Sequence, residues 1–253
     1  GSGFRGNRVN AGVTQPDAAA RFLKKEPGLF RAYEFKTDAL APPRGTTPNA
    51  NLIPGYASIG LYTPLAPAAY LAKTKVLGAV DVSTGSAAAS DWVPLEELSL
   101  LSRMNVRFMI SRQPLLDPGP WEWAENLEDG AVLYRNPSVW PRAYEADSAA
   151  DSVDVTKAEP GLYSIRTAFK NDGLLVVSEN GMFASQFLSS GWRAMVDGKP
   201  AAIRPFDGCF LSVPVGAGTR HVELRYVPTY FWIGLGGSLA ALLLIGILMR
   251  TKR

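Results

Sequence analysis

Phe231-Trp-Ile-Gly-Leu-Gly-Gly-Ser-Leu-Ala-Ala-Leu-Leu-Leu-Ile-Gly-Ile-Leu-Met249 carries no ionisable side chain. As a helix rising about 1.5 Å per residue it reaches roughly the 30 Å of a hydrocarbon core. The stretch reads as a transmembrane helix, because it lacks the polar face that a helix on a soluble core turns to water. Tyr226, Tyr230, Phe231 and Trp232 stand at its entrance, where amphipathic rings favour the headgroup level, and Arg250, Lys252 and Arg253 close its exit. The bland alternative is a buried core helix. Small residues recur four apart within it, Gly234 with Ser238, Gly236 with Ala240 and Gly237 with Ala241, a pattern that lets another helix approach closely.

Outward from this helix, the charge balance is even. The chain has 26 Lys plus Arg against 23 Asp plus Glu, a net charge of +3 and a pI near 9.0. The basic residues after Met249 account for that excess, so the pI gives no argument for a nucleic-acid partner, which needs basic residues clustered on the folded part. The region ahead of the helix, about 230 residues, is enough for one large or two ordinary cores. One cysteine, Cys209, and one histidine, His221, exclude an internal disulfide and a zinc site of the usual four N/S ligands. Cys209 heads the apolar run to Val213 and reads as a small buried hydrophobe rather than a reactive thiol.

The basic residues after the helix predict a cytoplasmic C-terminus and an extracytoplasmic folded region. The start, Gly1-Ser2-Gly3-Phe4-Arg5, has no apolar signal segment. The expectation is therefore the C-terminal part of a longer protein that supplies earlier membrane helices. The competing arrangement is a tail anchor with a cytosolic domain.

Residues 1–15 read as a linker or cloning scar, residues 16–148 as a mixed α/β region, residues 149–227 as an antiparallel β-sandwich of Ig-like size, and residues 228–253 as the membrane helix with its basic tail. The class is thus α+β. Thr14 as N-cap, Pro16 and Asp17 begin a short helix that Pro27-Gly28 stops before a strand over Leu29–Phe35. A loop over residues 39–60 follows, then a short helix in the Ala-rich run Ala66–Ala72, a turn-rich interval over Ser83–Ser90 and a helix over Pro94–Met104, where Leu95, Leu98 and Leu101 recur at helical spacing. Its neighbouring Glu96 and Glu97 do not face each other and read as a solvated helix face rather than a carboxylate pair. Val106–Ser111 and Ala131–Arg135 are strands; the segment between them, with Trp121 and Trp123, is a loop whose rings either pack locally or meet a sugar or membrane surface.

The acidic run Glu145–Asp154 marks the boundary. Beyond it Tyr163, Ile165, Thr167 and Phe169 share a strand face, Leu174–Val177 is a buried strand, and Asp197-Gly198 is a hairpin turn into Ala201–Arg204. The last strand, Thr219–Tyr226, buries Val222, Leu224 and Tyr226 and leaves His221 outward. Roughly seven short strands make the sandwich. No nucleophile elbow, phosphate loop or His/Cys metal spacing is present in the sequence, and a lone outward histidine is a surface residue rather than a catalytic one.

These pieces resemble, in order from about Pro16 to Met249, the C-terminal region of the YfhO-type bacterial membrane proteins, large polytopic proteins similar to GT-C glycosyltransferases. The likeness is carried by Phe22-Leu23-Lys24-Lys25 with Phe30-Arg31, Gly60-Leu61-Tyr62-Thr63-Pro64-Leu65, Met104–Ser111, Leu133–Pro137 and Pro141-Arg142-Ala143. It continues through Val177-Ser178-Glu179-Asn180, Gly191-Trp192-Arg193-Ala194, Val196–Pro200 and Val222–Pro228. The chain departs from the family's usual Pro-Gly-Trp, with Gly181–Ser190 inserted and Ser190 in place of the proline.

The resemblance implies a parent in the bacterial cytoplasmic membrane that transfers sugar from a polyprenyl-phosphate donor to a cell-envelope acceptor. Its acidic general base would lie in an early outer loop of the N-terminal half. No cofactor is expected in this chain. Its expected partners are membrane lipid, other membrane helices of the same parent and an envelope glycan or polymer. Tyr62, Arg142, Trp192 and Arg193 are the candidate substrate contacts, since aromatic rings stack on sugar faces and arginine forks onto phosphate. Core packing is the competing role for Trp192, and satisfaction of loop carbonyls for Arg142. A membrane-anchored, non-enzymatic binding or scaffold module is the alternative function.

Overall fold

The computed structural model describes residues 18–35, 56–57, 95–111, 114–146, 148, 153–180, 191–208, 210–227 and 229–251. In chain order the elements are α1 (Ala18–Leu23), β1 (Arg31–Phe35), α2 (Leu95–Arg103), β2 (Val106–Ser111), β3 (Glu122–Asn126), β4 (Val132–Arg135) and β5 (Ala143–Glu145). Then come β6 (Val153–Glu159), β7 (Leu162–Thr167), β8 (Gly173–Asn180), β9 (Trp192–Val196), β10 (Lys199–Ala201), β11 (Arg204–Phe206), β12 (Phe210–Val215), β13 (His221–Tyr226) and α3 (Thr229–Thr251).

Three sheets result, ordered β1-β2-β4-β3, β10-β9-β13-β7-β6 and β11-β12-β8-β5. Only β1 and β2 run parallel among the pairs in these sheets. The four-stranded β11-β12-β8-β5 sheet is the central layer, and its sequence explains why. Leu175-Val176-Val177 and Phe210-Leu211 are apolar on consecutive residues, as a strand covered on both faces requires. Leu175, Val177, Leu211 and Val213 point to the five-stranded sheet, where Tyr163, Ile165, Ala194, Val222 and Leu224 meet them. Val176, Phe210 and Tyr144 face the other way, against Leu98, Leu101, Met109 and Tyr134 of α2, β2 and β4. A further cluster of Leu23, Ala32, Phe108 and Leu133 holds α1 on the far side of the first sheet.

The sheet-rich fold bears out a β-sandwich-like domain, with three differences from expectation. The sandwich has nine strands among the described residues rather than roughly seven, and its first, β5, pairs with β8 ahead of the expected boundary at 149. Asp197 and Gly198 both have positive φ, 46° and 79°, which fits the expected tight turn. The returning strand, however, is Lys199–Ala201, while Arg204–Phe206 crosses to the central sheet. The segment expected as a loop around Trp121 and Trp123 contains β3; Trp121, just before that strand, is buried in the cluster with Leu101, Met109 and Tyr134, whereas Trp123, on the edge strand itself, is 61% exposed.

Tyr226 also corrects an expectation: it is 39% exposed rather than buried. It ends β13 opposite Trp192, where the sheet stops, and the Trp192 ring, 5.6 Å away and edge-on, together with Gly191 covers it only in part. Its amide donates to Gly161 O at 2.7 Å, and that of Val227 donates to Gly191 O at 2.7 Å. Gly191 has φ +75°, and a Cβ there would lie 2.6 Å from the Tyr226 ring. Gly191→Ala is therefore expected to cost about 1–3 kcal/mol through the left-handed backbone and the clash together. A denaturation midpoint equal to that of the parent sequence would mean that Tyr226 swings aside freely.

Beyond Val227 the chain forms α3. Its large apolar residues are exposed around the whole circumference, from Phe231 at 60% to Met249 at 69%. Side chains are described without a break only over residues 231–245, and among the described residues no helix is long and apolar enough to cross a membrane. Cys209 lies outside the described residues.

Candidate functional site

The first sheet and the sandwich meet at a cluster of charged and polar side chains. Arg31, on β1, donates from Nη1 to Met104 O at 2.9 Å and to Ser178 Oγ at 3.2 Å, and from Nη2 to Glu179 Oε2 at 3.2 Å. Arg142, just before β5, donates from Nε to Asn105 Oδ1 at 3.0 Å and from Nη1 to Tyr163 Oη at 3.4 Å, with Glu179 Oε2 at 3.5 Å. Tyr163 Oη donates to the same carboxylate oxygen. Two guanidinium groups and a phenol thus converge on one carboxylate, from β1, β7, β8 and the turn before β5.

Local backbone geometry sets this up. Asn105 turns the chain between α2 and β2 at φ 61°, a conformation its short amide tolerates better than most side chains. From there its Nδ2 donates to Trp140 O at 2.9 Å while its Oδ1 receives Arg142. The Arg142 carbonyl in turn accepts from Ser178 N at 2.9 Å and Ser178 Oγ at 3.2 Å, which ties the arginine's own backbone to β8.

Burial governs the electrostatics. Removal from water, then the nearby Arg31 charge, lowers the Arg142 pKa to about 10, against the attraction of Tyr163 and Glu179. Burial and the Glu179 carboxylate push the Tyr163 phenol up to about 12. The tyrosine direction governs the pH response, because a guanidinium keeps its proton in proteins. A raised phenol pKa gives stability that is whole below the unfolded value near 10 and lost as pH climbs through about 12. The expected loss is on the order of 2–3 kcal/mol. It is read as the difference between parent and Tyr163→Phe in denaturation midpoints from pH 9 to 12; a difference that stays flat would refute the assignment.

The four residues expected at the site fall in different places. Arg142 is 5% exposed and Trp192 8% exposed; they are joined through Tyr163, whose ring lies 6.1 Å from that of Trp192. The Arg142 guanidinium serves side chains, not the loop carbonyls first considered, and its Nη2 has no hydrogen-bond partner. Arg193 is exposed on the opposite face of β9. Tyr62 lies outside the described residues. Arg31, Asn105, Tyr163 and Glu179 were not singled out from the sequence as site residues, although all but Tyr163 stand within the segments that carry the family resemblance.

Chemically, the cluster is a clamp. It presents no nucleophile beside a base, and among the described residues no group of three or more His, Cys, Asp or Glu could hold a metal ion. His221 is outward, as expected, and its Nε2 lies 2.8 Å from Ser164 Oγ on an open sheet face.

Comparison with known proteins reaches one part of the chain. Residues 180–237 match the family model described as bacterial membrane protein YfhO. A Bacillus subtilis (strain 168) protein, "Uncharacterized protein YfhO", is 36% identical over 63 residues, which are 25% of this chain and 7% of that relative. No solved structure matches. The family-matched segment runs from the end of β8 to the first turns of α3 and so takes in the sandwich-to-helix junction.

Proposed function

From a chain that is YfhO-type across the junction of its last strands and its helix, we propose that this is the extracytoplasmic domain and a membrane helix of a polytopic bacterial glycosyltransferase. The parent transfers sugar from a polyprenyl-phosphate donor to a cell-envelope acceptor. What supports the membrane part is the sequence run Phe231–Met249, which carries no ionisable side chain and falls within the helix α3. Its described apolar side chains between Phe231 and Met249 are exposed, and it follows closely on a backbone that is hydrogen-bonded into the sandwich at Val227. A helix without a polar face needs a non-aqueous surrounding. Exposed Phe231 and Trp232 suit the headgroup level at one end, and Arg250 with the following basic residues suits the cytoplasmic side at the other.

In this reading the domain does not break bonds. Deprotonation of the acceptor hydroxyl and departure of the lipid phosphate belong to an acidic residue elsewhere in the parent. Within the chain, Arg142 and Trp192 act by holding the layers in register, and Tyr62 is the residue for meeting acceptor or donor. The bundle of the parent's other helices packs along α3.

The test is transfer of labelled sugar from polyprenyl-phosphate donors by the full-length parent in membranes, with and without residues 1–227. Transfer that requires this segment supports an acceptor-handling or bracing domain. Absence of transfer with every donor would put the anchored scaffold reading ahead, to be pursued by glycan-binding assays.

A further inference from the structure

The outer face of the five-stranded sheet carries an arrangement that the clamp does not use. Arg193 on β9 and Arg225 on β13 are direct cross-strand partners, both exposed. Like charges directly opposite each other destabilise a strand pair, so this placement works against the fold in isolation. Nearby carboxylates offset only one of the two charges. Glu223 pairs with Arg225 at 3.2 Å, and Glu159 pairs with Lys157 at 3.1 Å. The Arg193 side chain makes no hydrogen bond or ion pair among the described residues and is left as the surplus cation.

The pair lies at the helix end of the sheet. Arg225 precedes the last residue of β13, and Thr229 begins α3 four residues on, at most about 14 Å away along an extended chain. The opposite end of the same face holds Arg166, opposite His221, and there Arg166 has its own carboxylate, Asp154, at 4.0 Å. One unneutralised cation, Arg193, is thus left where the chain turns into its apolar helix.

We propose that Arg193 and Arg225 form a seat for the phosphates of anionic bilayer lipids, which holds the outer sheet against the membrane surface. This rests on the reading of α3 as a span. The guanidinium fork suits phosphate oxygens, and a bound phosphate turns the repulsion between the two arginines into shared attraction. The occupant is the bulk anionic headgroup, not the sugar donor.

The experiment uses the 253-residue chain in nanodiscs of phosphatidylcholine alone, with added phosphatidylglycerol, or with added polyprenyl phosphate. It reads the thermal midpoint of the folded domain and hydrogen exchange along α3. The midpoint is expected to rise by several degrees with phosphatidylglycerol. R193Q and R193Q/R225Q lose most of that rise, while R166Q keeps it. In neutral discs R193Q is as stable as the parent or more so, a sign that a merely structural arginine would not give. An equal lipid response in parent and R193Q/R225Q overturns the proposal, as does a response to polyprenyl phosphate alone, which would make the pair a donor site. If α3 is protected in all discs but the lipid response is absent, the seat fails and the span stands. If α3 exchanges freely, the span fails and the seat with it.

Discussion

Glu179→Ala is expected to lower stability by about 3–5 kcal/mol, toward the lower end because the carboxylate is partly open to solvent at 28%. The reason is what stays behind. With the carboxylate gone, the Arg31 and Arg142 side chains, 11% and 5% exposed, face each other with no anion between them, and the Tyr163 hydroxyl loses its acceptor. Removing one partner from a buried ionic cluster costs more than the cluster contributes as a whole, because desolvated charge is left unpaired. Glu179→Gln, which keeps an acceptor oxygen but not the charge, should fall between. Replacing Arg31, Arg142 and Glu179 together by apolar residues of similar volume should recover much of the loss. Chemical denaturation in a neutral detergent measures all three; a Glu179→Ala loss below about 1 kcal/mol would show that the cluster is not a clamp.

Trp192→Ala is the second large effect, again about 3–5 kcal/mol, the range for truncating a buried large aromatic. Trp192 is 8% exposed, packs within the sandwich core and lies between the rings of Tyr163 and Tyr226. Truncation opens a cavity at the base of the sandwich and strips Tyr226 of its ring contact. Amide exchange at Tyr226 and Val227 should accelerate along with the drop in midpoint. Trp192→Phe should cost much less. A Trp192→Ala protein of parental stability whose full-length parent cannot transfer sugar would instead favour the stacking role.

What could be read from the chain follows the range of the interactions. Alternation within one strand is local, so Tyr163, Ile165 and Thr167 on one face were legible, as were the Asp197-Gly198 turn and the doubly buried Leu175–Val177. The strand β5 was hidden because its partner β8 is some thirty residues away, about a tenth of the chain, and the acidic run just after it has the composition of a linker. The second arm of the hairpin was read at Ala201–Arg204, across the point where Lys199–Ala201 ends and Arg204–Phe206 crosses over, because nothing local tells a return strand from one that changes sheets.

The clamp was legible as residue types and illegible as a set. Arg142 stood out after its proline, but Arg31, Tyr163 and Glu179 come from three strands in three sheets, and no spacing rule relates positions 31, 142, 163 and 179. Asn105 had a signal available: an asparagine between a helical and a strand pattern is a natural left-handed turn. What it would grip from there only the tertiary structure supplies.

The two amides at the end of β13 have a mechanical consequence. With Tyr226 and Val227 each fixed to a glycine carbonyl, the leash between the sandwich and the first helical residue is two peptide steps, at most about 7 Å. A domain on so short a leash cannot tumble independently of its helix. Rotation or tilt of α3 must reappear as displacement of the whole sandwich, magnified by its distance from the pivot, so the domain is a lever whose far end reports what the helix does.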